Sequence, residues 1–394
     1  MIRPRLVLHI GEPKTGSSSI QQALFGRKFL CDTCTLDYPD SLNAFPLARA
    51  LKPDAAEGLA EARFGPYAQW LAASRRDVAV ISAEQFSLLP AAQIAESFQT
   101  YFPDHANEMT VVGYARPHVS RFLSAYAQRT KAGLLHASLE DFLAGGGARK
   151  LLKFHKRFAG WRVVFGERFI LRPMVREVLQ DGDVVADFIG IALGGAPFRL
   201  TGTTEANSSM SVEALAGVRF MHRVLQKFNV GAFVQHAIGG RVSTLVGQAA
   251  ASGTKLRVSS AMYERLHSMC AADAVALDRD FFDPAVMTQA LDLAANDVVP
   301  ELQDWDARTI YPTATQKALR QNARRLAALF EKHPGVWEAA YRRYKGHAAA
   351  SANAPLSESE VAVIEQVEAI LAETVAIIIS VDVGQTQPLH QIGV

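Results

Sequence analysis

The chain has 394 residues, which is long enough for one large domain or two of ordinary size. Hydrophobic residues make up 49% and charged residues 20%, a composition typical of globular proteins with a large core. The formal net charge of +2 argues against a general nucleic-acid-binding protein, which needs a strongly basic surface. No apolar run approaches the roughly 20 residues of a membrane-spanning helix, so we expect a cytoplasmic protein without a membrane span.

Short apolar runs alternate with helical patterns from residue 6 to about residue 190. The strand candidates are Leu6–Ile10, Val78–Ser82, Val111–Ala115 and a last pair, Arg162–Phe165 with Phe169–Leu171. Their unbroken apolar character is typical of strands that are buried on both faces of a parallel sheet. The alternation predicts an α/β fold with a doubly wound, mostly parallel sheet, in which ligands bind beyond the carboxyl ends of the strands.

The second half of the chain is predicted to be helical. Helical spacing is clear in Val212–Phe228 and Gln316–Phe330, and the small residues of Gly346–Pro355 are typical of a linker. We therefore expect a core over residues 1–210, a helical region over residues 211–345, a linker over residues 346–356, and a C-terminal helix with a tail over residues 357–394.

The C-terminal helix is predicted from its start signal and its apolar stripe. Ser357 and Glu360 have the spacing of a capping box. One apolar stripe follows, formed by Val361, Ile364, Val367, Leu371 and Val375. Such a stripe needs a packing partner. That partner is either the body of the same chain or a second copy in a homodimer.

The first predicted strand leads into the sequence GEPKTGSSS, from Gly11 to Ser19. A strand, a loop with glycines and a helix together favour anion binding, because the first helical turn has free N–H groups at the positive end of the helix dipole. Lys14 adds a positive charge, and the row of hydroxyl groups adds hydrogen-bond donors. The sequence therefore predicts an anion site at this loop.

The loop departs from the nucleotide P-loop, GxxxxGK[ST], in the position of its lysine. In that motif the lysine follows the second glycine, and the next hydroxyl binds magnesium. Here Lys14 precedes Gly16, and Ser17 follows the glycine directly. The magnesium arrangement of an NTPase is therefore not predicted.

A second motif, ARPHVSRFLSAY, follows the strand Val111–Ala115. Arg116 ends the strand, and Ser124 lies eight residues later, two turns into a helix predicted over Pro117–Lys131. Both side chains can therefore bracket one phosphate, for which arginine offers a planar fork of donors. This motif predicts a second phosphate-binding point at the same edge of the sheet.

The two motifs, in this order, resemble those of sulfotransferases that use 3′-phosphoadenosine 5′-phosphosulfate (PAPS). LHIGEPKTGSSSIQ is similar to the 5′-phosphosulfate loop, which typically reads PKTGTT or PKSGTT, and the R-x7-S spacing is similar to the 3′-phosphate site of that family. The resemblance covers roughly residues 6–215 and implies a P-loop-like core that needs no metal. It assigns Arg116 and Ser124 to the 3′-phosphate. It assigns to the 5′ end the residues Pro13, Lys14, Thr15, Gly16, Ser17 and Ser18.

The loop differs from the family pattern at three positions. Ser17 and Ser18 replace threonines and keep the hydroxyl groups. Glu12 introduces a carboxylate beside a polyanion, and like charges at about 4–6 Å are mutually unfavourable. Glu12 therefore either points away from the anion or contacts the acceptor.

The resemblance implies transfer of a sulfuryl group from PAPS to a hydroxyl or amine, leaving adenosine 3′,5′-bisphosphate. Lys14 is expected to neutralise charge on the leaving oxygen, and a base accepts the proton of the acceptor. Glu84, just beyond the second strand, is the first candidate for this base, since several related sulfotransferases use a glutamate soon after the loop. His118, beside Arg116, is the second candidate. The acceptor, expected to be a small molecule, a glycan or a lipid, is not encoded in any motif.

Two other functions fit the loop. A P-loop kinase of small molecules would need magnesium and an acidic residue at a strand end. A degenerate, non-catalytic nucleotide-binding protein would bind adenosine 3′,5′-bisphosphate without transfer, with Glu12 as the lesion.

We predict no metal site, because Cys31 and Cys34 form one CxxC pair and a zinc site needs about four ligands. Arg172, after the last strand, is either a nucleotide contact or part of an internal ion pair.

Overall fold

The computed structural model describes residues 3–202, 210–249, 253–344 and 356–380. The predicted linker, apart from residue 356, and the predicted tail after residue 380 lie outside these ranges. The strands are β1 (Arg5–Gly11), β2 (Phe29–Leu30), β3 (Leu36–Asp37), β4 (Val78–Ser82), β5 (Thr110–Ala115), β6 (Phe169–Pro173) and β7 (Arg199–Leu200).

The helices fall between and after these strands. In chain order they are α1 (Ser17–Phe25), α2 (Phe45–Ala50), α3 (Leu59–Ala73), α4 (Ala91–Tyr101), α5 (Pro103–Ala106), α6 (His118–Lys131), α7 (Leu139–Ala144), α8 (Gly146–Leu151), α9 (Phe154–Phe165), α10 (Val184–Ala192), α11 (Val212–Gln226), α12 (Ala232–Gln248), α13 (Ser260–Phe281), α14 (Val286–Leu293), α15 (Ala307–Ile310), α16 (Thr313–Lys332), α17 (Val336–Tyr344) and α18 (Glu358–Ile379). Short 3₁₀ turns cover Glu84–Leu88, Gly166–Arg168, Gln180–Gly182 and Ala294–Asp297.

Five strands pair in parallel in the order β3-β4-β1-β5-β6 and confirm the predicted α/β fold. All residues of β4 are buried, as expected for a strand covered on both faces. Helices α1 and α10 pack on the sheet, where Ile20 and Phe188 join Val7 in one apolar cluster. Because β4 and β5 lie on opposite sides of β1, the strand order reverses at β1, the place where such sheets bind ligands.

One strand prediction is wrong. Residues 162–165 form the last turn of α9, whereas the neighbouring prediction over Phe169–Leu171 corresponds to β6. Val163 is 84% exposed while Trp161 and Phe165 are buried, which is the four-residue period of a helix. A four-residue apolar run cannot distinguish a strand from the end of a helix, and its packing decided the outcome.

The C-terminal helix α18 begins at the predicted capping box. The Ser357 hydroxyl accepts from the backbone N–H of Glu360, whose carboxylate accepts in return from the backbone N–H of Ser357. Most of the predicted stripe is buried, but Val361 is exposed. The Asn322 amide of α16 donates to the hydroxyl of Thr374 at 3.2 Å. The stripe therefore packs within its own chain, and a homodimer through this helix remains only a prediction.

The described parts of the chain divide into two compact units. We call them the sheet unit (residues 1–122, 146–206 and 264–296) and the helical unit (residues 123–145, 207–263 and 297–394). The predicted contiguous boundary near residue 210 does not describe this division, because 123–145 belong with the later helices and 264–296 belong with the sheet. No helix in the described ranges is long and apolar enough to cross a bilayer.

Candidate anion-binding and catalytic site

Three segments of the sheet unit meet where β1, β4 and β5 end. The loop after β1 begins at Gly11, and a Cβ atom on this residue would lie 2.5 Å from the Cα of Glu84, which follows β4. Arg116, which follows β5, donates through Nη1 to the carbonyl oxygen of Lys14 at 2.7 Å. The structure thus brings together Lys14, Glu84 and Arg116, as their places at the strand ends predicted.

The loop backbone turns through three residues in the left-handed region. The φ angles are +76° at Gly11, +73° at Lys14 and +81° at Gly16. Glycine adopts this conformation readily, but an L-residue such as Lys14 does so at a cost of about 1–2 kcal/mol. Gly16 also lacks space for a side chain, since a Cβ would lie 2.5 Å from Cγ1 of Val184. A strained non-glycine residue in such a turn indicates a functional constraint.

The start of α1 offers unused hydrogen-bonding groups. Gly16 is its N-cap, no side chain caps the helix, and the first turn has no acidic residue. The hydroxyl of Ser17 is buried, with the residue only 3% exposed, and it has no hydrogen-bond partner in the described ranges. A buried, unsatisfied polar group costs about 1–3 kcal/mol. The helix start is therefore suited to an anion.

The other predicted hydroxyl ligands differ from Ser17. Thr15 is fully buried, and its hydroxyl donates to the carbonyl oxygen of Glu12 at 2.6 Å. That proton closes the loop and is not available to an anion, although the Thr15 backbone remains near the site. Ser18 is exposed on the first turn of α1, and Pro13 is half-buried. Of the three hydroxyl groups, Ser17 is the best placed for an anion ligand.

Glu12 points away from solvent into an ion-pair cluster. Its side chain is fully buried, and Oε1 accepts from Arg121 Nη2 at 2.8 Å and Nε at 3.1 Å. Its other oxygen, Oε2, accepts from Nη1 of Arg157. Buried charges persist in proteins when they are paired in this way. The carboxylate is neutralised by two arginines, which removes the objection that it faces a polyanion.

Sequence reasoning did not identify Arg121 and Arg157. Arg121 stands within the motif ARPHVSRFLSAY, five residues after Arg116, so its place near the loop was accessible from the sequence. Arg157 lies 145 residues from Glu12, and no local pattern indicates that the two meet.

The electrostatics of Glu84 and Lys14 are coupled. Burial raises the pKa of the Glu84 carboxyl above its ordinary value, and the positive charges of Lys14 and Arg121 oppose this shift. Burial lowers the pKa of the Lys14 ammonium, with Glu84 opposing and Arg116 adding to the shift. A carboxylate with a raised pKa beside a half-buried ammonium is suited to a general base next to a charge-stabilising cation.

Arg116 binds a hydroxyl group at the start of α6. Its Nε donates to the hydroxyl of Ser120 at 3.0 Å, one helical turn beyond the arginine. Ser124 is half-buried and lies two turns into α6, as predicted, but it belongs to the helical unit. A shared phosphate between Arg116 and Ser124 therefore remains a prediction.

His118 has a structural environment. It is fully buried, and its Nε2 lies 3.0 Å from Oδ2 of Asp273. The same carboxylate accepts from the backbone N–H groups of Phe154 and His155 at the start of α9. His118 therefore links the starts of α6 and α9 through Asp273, and these contacts favour Glu84 as the base.

Arg172 lies in an internal ion pair, and the two cysteines of the CxxC pair are free thiols. Arg172 forms a two-point ion pair with Asp187, at 2.6 and 3.0 Å, so the internal ion pair is the correct alternative. Cys31 and Cys34 are half-buried free thiols. Within residues 3–202, 210–249, 253–344 and 356–380, no three histidine, cysteine or acidic side chains form a metal-binding group.

Comparisons with known proteins give one distant similarity. No protein-family model matches the chain, and no curated protein matches its sequence. One solved structure, a sulfotransferase from Alicyclobacillus acidocaldarius, is similar over 71% of this chain and 96% of its own, with 14% identity and a TM-score of 0.42. At this identity and TM-score the similarity assigns neither a fold nor a function to this chain.

Proposed function

We propose that this protein is a PAPS-dependent sulfotransferase whose acceptor is a hydroxyl or amine of a small molecule, a glycan or a lipid. The observation that carries the proposal is the loop from Gly11 to Ser17. It combines an uncapped helix start, the buried hydroxyl of Ser17, and Lys14, whose positive charge acts on the pKa of Glu84. The match of this loop to the sulfotransferase pattern supplies the identity of the ligand.

The residues of the loop fit the 5′ end of PAPS. The free N–H groups of the first turn of α1 and the Ser17 hydroxyl would hold the phosphate. Arg116 would hold the 3′-phosphate, together with Ser124 as the family pattern implies. PAPS itself supplies the activated sulfuryl group, so the chain needs to position it and to stabilise charge.

Two side chains then carry the chemistry. Glu84 accepts the proton of the acceptor as the new bond to sulfur forms, a role suited to a carboxylate whose pKa is raised by burial. Lys14 neutralises the negative charge that develops on the leaving phosphate oxygen. Phosphoryl transfer is the physical template, in which in-line positioning and charge stabilisation do most of the catalysis.

The structure bears on both alternatives. A non-catalytic protein was suggested by Glu12, but this carboxylate is paired with Arg121 and Arg157. A kinase would need a strand-end carboxylate to organise magnesium, a place that Glu84 holds after β4. The kinase and the sulfotransferase therefore give Glu84 different roles.

Calorimetry separates these functions. We expect adenosine 3′,5′-bisphosphate to bind more tightly than adenosine 5′-monophosphate, and more tightly than ATP with magnesium. A preference for ATP with magnesium would overturn the proposal in favour of a kinase. Sulfur-labelled PAPS with a panel of hydroxyl and amine acceptors then tests transfer directly.

A further inference from the structure

Glu12 connects the loop from Gly11 to Ser17 to two helices. Its carboxylate binds Arg121 of α6 through one oxygen and Arg157 of α9 through the other. Arg121 is also almost fully buried, whereas the Arg157 side chain is 21% exposed. Three charges enclosed in this way define one geometry, because a displaced partner would leave a buried charge uncompensated.

The loop is joined to the segment after β5 at two points. One is the ion pair between Glu12 and Arg121. The other is the hydrogen bond from Arg116 to the carbonyl oxygen of Lys14. Thr15 adds a bond within the loop by donating to the Glu12 carbonyl. The strained Lys14 therefore lies between residues that are fixed on both sides.

We propose that Glu12 is a positioning residue, which holds the loop and Arg116 at a fixed separation so that one ligand with two phosphate groups engages both. This inference rests on the proposed function for the identity of the ligand. The physical basis is preorganisation. When two binding points are fixed relative to each other, the second phosphate binds without a further ordering cost.

A purely electrostatic role for Glu12 predicts the opposite result. A carboxylate near a bound anion repels it, so its removal would strengthen the binding of both nucleotides, and of the more highly charged bisphosphate at least as much as of the monophosphate. A positioning role predicts that removal of the Glu12 carboxylate weakens the binding of the ligand with two phosphates more than the binding of the ligand with one.

The experiment compares full-length Glu12→Gln with the unmodified protein in two measurements. Hydrogen exchange of the ligand-free proteins, followed by mass spectrometry, reports on the peptide containing Gly11 to Ser19. We expect its exchange to be about tenfold faster in the variant. Calorimetry with adenosine 3′,5′-bisphosphate and adenosine 5′-monophosphate should show the preference for the bisphosphate reduced by about tenfold.

Asp278→Asn is the matched control. Asp278 is a buried carboxylate of the same unit, and it accepts from the backbone N–H groups of Met287 and Thr288. Its loss should destabilise the sheet unit without loosening the loop. If Glu12→Gln does not fold, Arg157→Gln removes one partner of the cluster. It should also speed hydrogen exchange of the loop and reduce the preference for the bisphosphate, but by smaller factors.

The inference would be overturned if hydrogen exchange of the peptide containing Gly11 to Ser19 were as slow in Glu12→Gln as in the unmodified protein. It would also be overturned by a gain in affinity of Glu12→Gln for both nucleotides that is at least as large for the bisphosphate as for the monophosphate. If the unmodified protein binds neither nucleotide, the proposed function fails, and the exchange of the ligand-free loop still decides whether Glu12 fixes it.

Discussion

Gly11 and Glu84 are in backbone contact, since a Cβ on Gly11 would lie 2.5 Å from the Glu84 Cα and 3.1 Å from its carbonyl oxygen. The contact joins the ends of β1 and β4 and places the candidate base directly beside the loop that carries Lys14. The absence of a side chain at Gly11 therefore allows Glu84 to approach the loop this closely.

The first prediction concerns this contact. Gly11→Ala should destabilise the protein by more than the roughly 1–2 kcal/mol of a left-handed alanine, because its methyl group also overlaps the Glu84 backbone. Thermal unfolding measures this loss. Gly160→Ala in α9 is the control, since nothing lies within 4 Å of its Cβ position. Within a helix this change should stabilise by about 0.5–1 kcal/mol. Equal melting temperatures for the two variants would contradict the close contact.

The second prediction concerns the base. Glu84→Gln keeps the shape of the side chain and removes its basicity, so turnover should fall by about 10²–10⁴-fold. The affinity for adenosine 3′,5′-bisphosphate should hardly change. In the unmodified protein, transfer activity should decline with falling pH at a higher pH than an ordinary glutamate gives, because burial raises the pKa of Glu84. A fully active Glu84→Gln enzyme would transfer the role to another group.

The same pKa shift predicts a change in stability. Because the folded protein holds the Glu84 proton more tightly than the unfolded chain, the stability of the unmodified protein falls as pH rises through the interval between the two pKa values. Glu84→Gln lacks this titration. The difference in unfolding free energy between the variant and the unmodified protein should therefore shift in favour of the variant as pH rises, as denaturant titrations across that interval will measure. A difference independent of pH would show that the pKa of Glu84 is not raised in the folded protein.

The third prediction separates the charge of Lys14 from its backbone strain. Lys14→Ala and Lys14→Gly both remove the ammonium, and each should lower turnover by about 10²–10³-fold, the range found for one charge-stabilising donor. Glycine relieves the left-handed conformation, so Lys14→Gly should be more stable than Lys14→Ala by about 1 kcal/mol. Unchanged turnover together with weak nucleotide binding would show that Lys14 binds the nucleotide but does not stabilise charge during transfer.

The fourth prediction concerns the 3′-phosphate. Arg116→Ala should remove most of the preference for adenosine 3′,5′-bisphosphate over adenosine 5′-monophosphate, with a loss of about 1.5–3 kcal/mol. Ser124→Ala should have a smaller effect in the same direction. Calorimetry on both variants measures this, and Arg172→Ala serves as a control because its guanidinium is bound to Asp187. If the preference survives in Arg116→Ala, another group must contact the 3′-phosphate.

The fifth prediction assigns His118 to stability. His118→Asn should lower the melting temperature, because it disturbs the contact with Asp273 that joins the starts of α6 and α9. Turnover per folded molecule should stay within about threefold of that of the unmodified protein, because His118 is bound to Asp273 and is not the proposed base. A large loss of turnover in a folded variant would restore His118 as the base candidate.

Local patterns in the sequence were sufficient to predict the parallel sheet and the loop. Buried strands such as Val78–Ser82 are unbroken apolar runs, and the capping box at Ser357 is a contact between residues three apart. Strand ends in a parallel sheet share one edge, so the meeting of Lys14, Glu84 and Arg116 also followed from the order of the elements. Each of these features depends on neighbouring residues or on a general rule of topology.

Only the tertiary structure decided what surrounds these residues. Glu12 looked like a repulsive charge, yet it is paired with Arg157 from a helix 145 residues away. Whether residues 162–165 form a strand or a helix depended on the packing of Trp161 and Phe165. Each of the two units also combines three segments that are separate in the chain. The physical reason is the same in each case. Burial and charge pairing depend on which distant segments come into contact, and the local sequence does not record those contacts.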